Sequence, residues 1–227
     1  MTTARYRYEH LLHHQHNCTN DDPYWRDWTT DSHWFWPKTR AAALRLFLKD
    51  LLGLNMHHIG KALSRWSPWK EHFKRQGPRA LTRGERCRLY GFYAALVAGL
   101  TIYSGWTVYL LLWALPGSTL TILWVRMRSV AEHLYLPGRN ELNRSRHITA
   151  SWWERLTISP LFINYHIAHH LFPSIPHYNL DRCHQLLLHV PAYREQAAIY
   201  DSYFSLGRTA YSDLILRGNK VRSSPGV

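Results

Sequence analysis

Cysteine is scarce in this 227-residue chain: Cys18, Cys87 and Cys183 are three in number, scattered, and never spaced Cys-x-x-Cys. That excludes a disulfide framework, a zinc ribbon and an iron–sulfur run, and fits reduced thiols facing the cytosol. No Gly-x-Gly-x-x-Gly fingerprint occurs, so the chain carries no dinucleotide site of its own. Residues 1–20 are polar and hold histidines in place of an apolar stretch with a cleavage site, and nothing in them reads as a secretory signal. Acid groups are few, 15 Asp and Glu against 28 Lys and Arg, which leaves a formal charge of +13 and a pI near 9.9. Such a balance suits nucleic acid or an anionic membrane surface. Eleven Trp and fourteen Tyr decide for the membrane, because these amphipathic rings collect at its interfaces.

Charge is also absent from Leu89 to Val125, a run too long for one crossing and suited to two helices of about 18 residues. Ser104 and Gly105 break it, so a turn is expected near Tyr103–Trp106, giving a transmembrane hairpin over 89–125. Arg79, Arg83, Arg86 and Arg88 before the run, with Arg126 and Arg128 after it, place both ends in the cytosol. Ahead of it, residues 4–20 read as a helix, and 39–55 as an amphipathic, non-spanning helix with Leu44, Phe47, Leu48, Leu51 and Leu52 on one face. Lys61–Arg88 reads as an irregular basic surface segment. A short helix is expected over 180–190, opened by Asn179 and stopped by Pro191, and the tail 197–227 shows no strong period. The expectation is one domain over 1–227: an all-α integral membrane protein with a transmembrane hairpin and a cytosolic helical cap.

Histidine is what the chain has in excess, 16 residues. The spacing His-x-x-His-His occurs twice, at His10, His13, His14 and at His166, His169, His170, and on a helix it puts three imidazoles on one face. With His133 these make seven candidate ligands. Imidazole suits iron, zinc, copper and nickel alike, so ligand type does not choose the metal, but seven ligands point to two ions. Bound imidazoles need partners for their other N–H, and Asp21, Asp22 and Glu132 are the acids at hand. A plain Asp-Asp-Pro turn accounts for the first two equally well. His16 reads as a surface or second-sphere residue, His57 and His58 as interfacial, and His177, His184 and His189 as stacking or surface groups. His33, His72 and His147 receive no role.

The motifs HLLHH and HIAHH, the latter within NYHIAHHLFPSIPHYNL, and the isolated histidine of RSVAEH resemble the membrane fatty acid desaturase family, which also contains hydroxylases and ketolases. The resemblance runs from His10 to about Leu180. It implies an O2-dependent oxidation of an acyl chain that introduces a double bond, with two iron ions held by His10, His13, His14, His133, His166, His169 and His170 in a di-iron site on the cytosolic side. Asn164 takes a second-sphere or water-linked role in that comparison. It further implies a membrane lipid or acyl substrate, an outside electron donor such as a ferredoxin, a rubredoxin or a cytochrome b5, and no nucleic acid. Family members carry an earlier His-x-x-x-His box and an earlier membrane hairpin, whereas nine residues precede His10 here. The chain therefore reads as truncated at its N-terminal side, and hydroxylase, ketolase and inactive membrane fragment stand as alternatives to desaturase.

Overall fold

A computed structural model of the protein describes residues 3–57, 82–136, 138, 140–205 and 207–216. His58, His72, Arg79, most of the Lys61–Arg88 segment and the last eleven residues lie outside them. The chain divides into two compact units, one formed by Met1–Leu11 and Lys49–Leu123, the other by Leu12–Leu48 and Trp124–Val227. In chain order the helices are α1 (Thr3–His16), α2 (Pro23–Thr30), α3 (Arg40–Leu51), α4 (Arg83–Ile102), α5 (Trp106–His133), α6 (Trp152–Thr157), α7 (His166–Leu171), α8 (Leu180–Leu187), α9 (Pro191–Gln196) and α10 (Ala210–Leu214).

In the first unit, α4 is started by a capping box. Thr82 Oγ accepts from the Glu85 backbone N–H at 3.2 Å, and the Glu85 carboxylate accepts from that of Thr82 at 2.8 Å. The helix stops at Tyr103–Gly105, where Ser104 adopts φ 51° and the Gly105 N–H returns to the Leu100 carbonyl at 2.8 Å. Trp106 then opens α5, with its indole N–H on Thr101 Oγ at 3.2 Å. Pro116 has no N–H to give, and one turn before it the ladder widens to a π turn over Leu110–Ala114, with Leu115 N–H reaching back to Leu110.

The break thus falls where the Ser-Gly pair predicts, yet it divides the uncharged run unevenly. Residues 89–102 span about 21 Å and residues 106–125 about 30 Å, and only the latter matches the hydrocarbon thickness of a bilayer. Among the described residues one helix, α5, is long and apolar enough to cross a membrane. Phe92, Val97 and Ile102 on α4 and Leu111, Leu112 and Trp113 on α5 are all exposed.

The leucine stripe of α3 is not the face that packs against the protein. Ala43, Leu46 and Asp50 are the buried positions, Phe47 is half-buried, and Leu44, Leu48, Leu51 and Leu52 face outward.

The second unit is not purely helical. β1 (Lys38–Thr39) pairs in parallel with β4 (Ile215–Leu216), and β2 (Arg146–Ile148) in parallel with β3 (Ala198–Tyr200). Strands of two or three residues leave no readable period, so the all-α expectation passed over both ladders. Residues 198–216 of the unpatterned tail are core elements: Tyr203, Ala210 and Leu214 pack with Val130, Ala131 and Ile148, all fully buried. Glu154, also fully buried, ties this segment down. One carboxylate oxygen accepts from Ser151 N and Oγ, and the other from Phe204 N and Ser205 Oγ. The helix expected over 180–190 ends at Leu187, and Pro191 opens α9 at its first position, where its missing N–H has no cost.

Candidate metal centre

α1, the end of α5 and α7 bring imidazoles together in the second unit. His133 closes α5 and is buried, His166 opens α7 and is buried, and His13 lies on α1, 2% exposed. His166 Nε2 lies 2.7 Å from His133 Nε2 and 3.1 Å from His170 Nε2, and His14 Nε2 lies 3.1 Å from His169 Nε2. The His13 ring is 4.7 Å from that of His133 and 5.0 Å from that of His170. Ligand atoms of His13, His133 and His170 lie within 4.8 Å of one another, as do those of Glu132, His133 and His166. His10 lies in the first unit, one turn before His14 on the same helix, with its ring stacked on Tyr6 at 5.2 Å.

Burial first, then neighbouring imidazoles, hold His166 and His170 well below the usual range, and burial, His13 and Arg128 bring His169 down to about 4. All three are neutral at pH 7 and present lone pairs. A neutral imidazole has one N–H, so His166 Nε2 cannot form good hydrogen bonds with two Nε2 atoms that keep their own protons on Nδ1. Two nitrogens each about 2.1 Å from a shared ion at a right angle would lie about 3.0 Å apart, close to the separations seen. The donor set therefore fits a metal.

His13 shows how a ring is aimed. Its Nδ1 donates to Asp22 Oδ2 at 2.8 Å, which puts the ring's lone pair on Nε2. Asp22 is fully buried and also accepts from Cys18 N at 3.3 Å and, through Oδ1, from Tyr24 N at 2.8 Å. It is at once the N-cap of α2, ahead of Pro23, and the partner of His13, so the two readings of the acid pair meet in one residue. Asp21 is exposed. Glu132 comes nearer than an orienting group needs to, with Oε2 3.6 Å from His166 Nε2 and Oε1 3.4 Å from Arg128 Nε. Asn164 is buried and gives its amide N–H to the Ile148 carbonyl at 2.8 Å, while its Oδ1 has no hydrogen-bond partner among the described residues.

Trp28 went unmarked in the sequence. Its ring lies 5.3 Å from that of His133 and 6.1 Å from that of His13, and walls that side of the cluster. The one available signal was its place five residues past the acidic Pro turn.

His147, given no role from the sequence, and His184, read as a stacking or surface group, form a stacked pair at 3.8 Å behind Tyr165, and His184 Nδ1 lies 2.9 Å from the Tyr193 hydroxyl. Burial, then His184 and Arg155, pull His147 from 6.5 down to about 3. Its imidazole is neutral when folded and titrates near 6.5 when unfolded. This contribution to stability is therefore full above pH 6.5 and is lost as pH falls toward 3, at up to about 1.4 kcal/mol per pH unit. Thermal midpoints in detergent should fall from pH 6.5 to 4, and less steeply in His147→Gln. Equal slopes would show that His147 does not drive the acid limb.

Among the described residues the chain is mostly helical, with one apolar helix of membrane-spanning length that ends on a histidine inside a cluster of imidazoles able to hold a metal. Residues 1–204 match the fatty acid desaturase family, and the chain belongs to it. Over 108 residues it is 37% identical to the sphingolipid delta(4)-desaturase/C4-monooxygenase of Bos taurus, an alignment covering 45% of this chain and 29% of that protein. The chain thus spans less than a third of that relative's length. No solved structure matches it.

Proposed function

We propose that this chain is the histidine-box portion of an O2-dependent lipid desaturase, with His13, His14, His133, His166, His169 and His170 as iron ligands and Glu132 as a carboxylate beside them. His10 takes the same role from its spacing to His14. The convergence of three Nε2 atoms, from His133, His166 and His170, carries this reading. Bound there, two irons would supply the activation of O2 that oxidation of an unactivated C–H bond requires. The protein's part is to hold lone pairs in place: Asp22 fixes the tautomer of His13, burial keeps His166 and His170 unprotonated, and Trp28 excludes water from one side.

In this reading α4 and α5 form a membrane hairpin. α4 reaches about 30 Å when the arginines of its first turns extend to the headgroups, and the basic flanks keep the boxes cytosolic. Electrons come from an outside donor such as a ferredoxin, a rubredoxin or a cytochrome b5, drawn to the basic surface. Hydroxylation is the second reading, favoured by the relative that is both desaturase and monooxygenase. Expression in a host lacking the activity, followed by lipid analysis and iron determination on the purified protein, tests both. About two irons per chain with new cis double bonds is the expected result. An added oxygen without a double bond selects hydroxylation, and less than about one iron per chain defeats the proposal.

A further inference from the structure

α5 delivers Glu132 and His133 on its last turn, where helix carbonyls have run out of intrahelical donors. That turn is buried from Ala131 to Leu134, so water cannot serve them, and the chain leaves sharply through Tyr135 at φ 57°. The donors come from one side chain. Arg146, on β2 and fully buried, gives Nη1 to the Ala131 carbonyl at 3.0 Å and to the Leu134 carbonyl at 2.8 Å, and Nη2 to the Tyr135 carbonyl at 3.1 Å. Glu132 and His133 are the two residues between the carbonyls that Nη1 holds. A cation here also answers the negative end of the helix dipole.

The guanidinium is itself held. Its carbon lies 5.2 Å from the centre of the Tyr200 ring, and β3, which carries Tyr200, is hydrogen-bonded in parallel to β2 with Arg146 opposite Ala198. The Tyr200 hydroxyl donates to Asp213 at 2.6 Å and accepts from Arg208 at 3.0 Å, so the ring is fixed by the same C-terminal segment that has no sequence pattern.

We propose that Arg146 is a positioning residue for the metal centre: it clamps the end of α5 so that Glu132 and His133 face His166, and Tyr200 locks the clamp through the C-terminal segment. The link to metal rests on the function proposed above; the clamp itself does not. Lysine cannot replace it, because one ammonium does not offer the planar fork that spans three carbonyls.

The test uses the full chain in detergent, with Co(II) as the probe, titrated by its visible bands, and with hydrogen exchange of the metal-free protein read by segment. Arg146→Lys and Arg146→Met should bind Co(II) about 10- to 100-fold more weakly and with altered bands. Exchange should rise over 129–136 while 106–120 and 180–196 keep their protection. Tyr200→Leu should shift both readouts the same way by less, and Tyr200→Phe, which keeps the ring but loses the hydroxyl that fixes it, should fall between Tyr200→Leu and wild type. His166→Ala serves as the control, losing Co(II) without loosening 129–136. Wild-type Co(II) binding in the Arg146 variants, or exchange that rises evenly through the whole unit, overturns the proposal. Should Arg146→Met fail to fold, Arg146→Lys and Tyr200→Leu decide it. A wild-type chain that takes no Co(II) counts against the metal reading, and the exchange result then decides the clamp alone.

Discussion

His166→Ala should abolish turnover, to below about 1% of wild type, and should remove at least one iron per chain. His166 is the node of the cluster: its Nε2 faces His133 at 2.7 Å, His170 at 3.1 Å and the Glu132 carboxylate at 3.6 Å. Loss of a residue that merely orients a ligand costs about 10- to 100-fold in affinity or activity, and loss of a shared ligand exceeds that. The same change relieves the crowding of lone pairs, so folding should suffer less than metal binding, and the circular dichroism of the purified variant should match wild type. His166→Gln keeps most of the volume without the imidazole and should behave alike. Iron per chain and lipid products are the measurements, and a wild-type iron content in either variant would remove His166 from the ligand set.

Asp22→Asn should have the second-largest effect, although Asp22 touches no metal. Its two oxygens serve three donors: Oδ2 takes His13 Nδ1–H and Cys18 N–H, and Oδ1 takes Tyr24 N–H. An asparagine amide in either orientation aims its NH2 at a donor. If the amide faces His13, the imidazole must turn its proton to Nε2, and the lone pair it offers the cluster is gone. This is the wrong-tautomer effect seen when the aspartate of a Ser-His-Asp triad becomes asparagine. Metal affinity should fall about 10- to 100-fold, and stability by about 1–3 kcal/mol for the unsatisfied buried donor. Asp22→Glu should restore part of the affinity where the longer side chain still reaches Nδ1. Iron affinity that is unchanged in Asp22→Asn would show that the His13–Asp22 pair is only a helix cap.

Local chemistry was legible where it repeats or caps. The two His-x-x-His-His spacings both fall on helices, α1 and α7; α1 places His13 and His14 in the cluster, and α7 places His166, His169 and His170. The Ser104–Gly105 break was readable because those residues interrupt an uncharged run, and the turn forms there. The capping boxes at Thr82 and Ser151 follow the Ser/Thr-x-x-Glu pattern but were passed over, and α4 begins at Arg83, inside the stretch read as irregular up to Arg88. Which face of α3 packs was not legible in the sequence, because it depends on partners distant in the chain. Phe47 meets Trp36 and Tyr211, which lie 11 residues before it and 164 after it. The C-terminal segment was passed over for the same kind of reason: strands this short have no period of their own, and Ala198–Tyr200 is a strand only because Arg146–Ile148 lies beside it.

By itself, the sequence determined the kind of atoms that meet and the helices that carry them, because imidazole spacing, cap residues and apolar length act within a turn or two of their own position. Tertiary structure decided the rest. It alone placed His133 against His166 across 33 residues, turned Glu132 from a helper into a near neighbour of the cluster, gave Asp22 to His13, and set Arg146 and Tyr200 behind the end of α5. Those contacts depend on which buried carbonyls and lone pairs lack partners once the chain has packed, and that is settled only between segments distant in sequence.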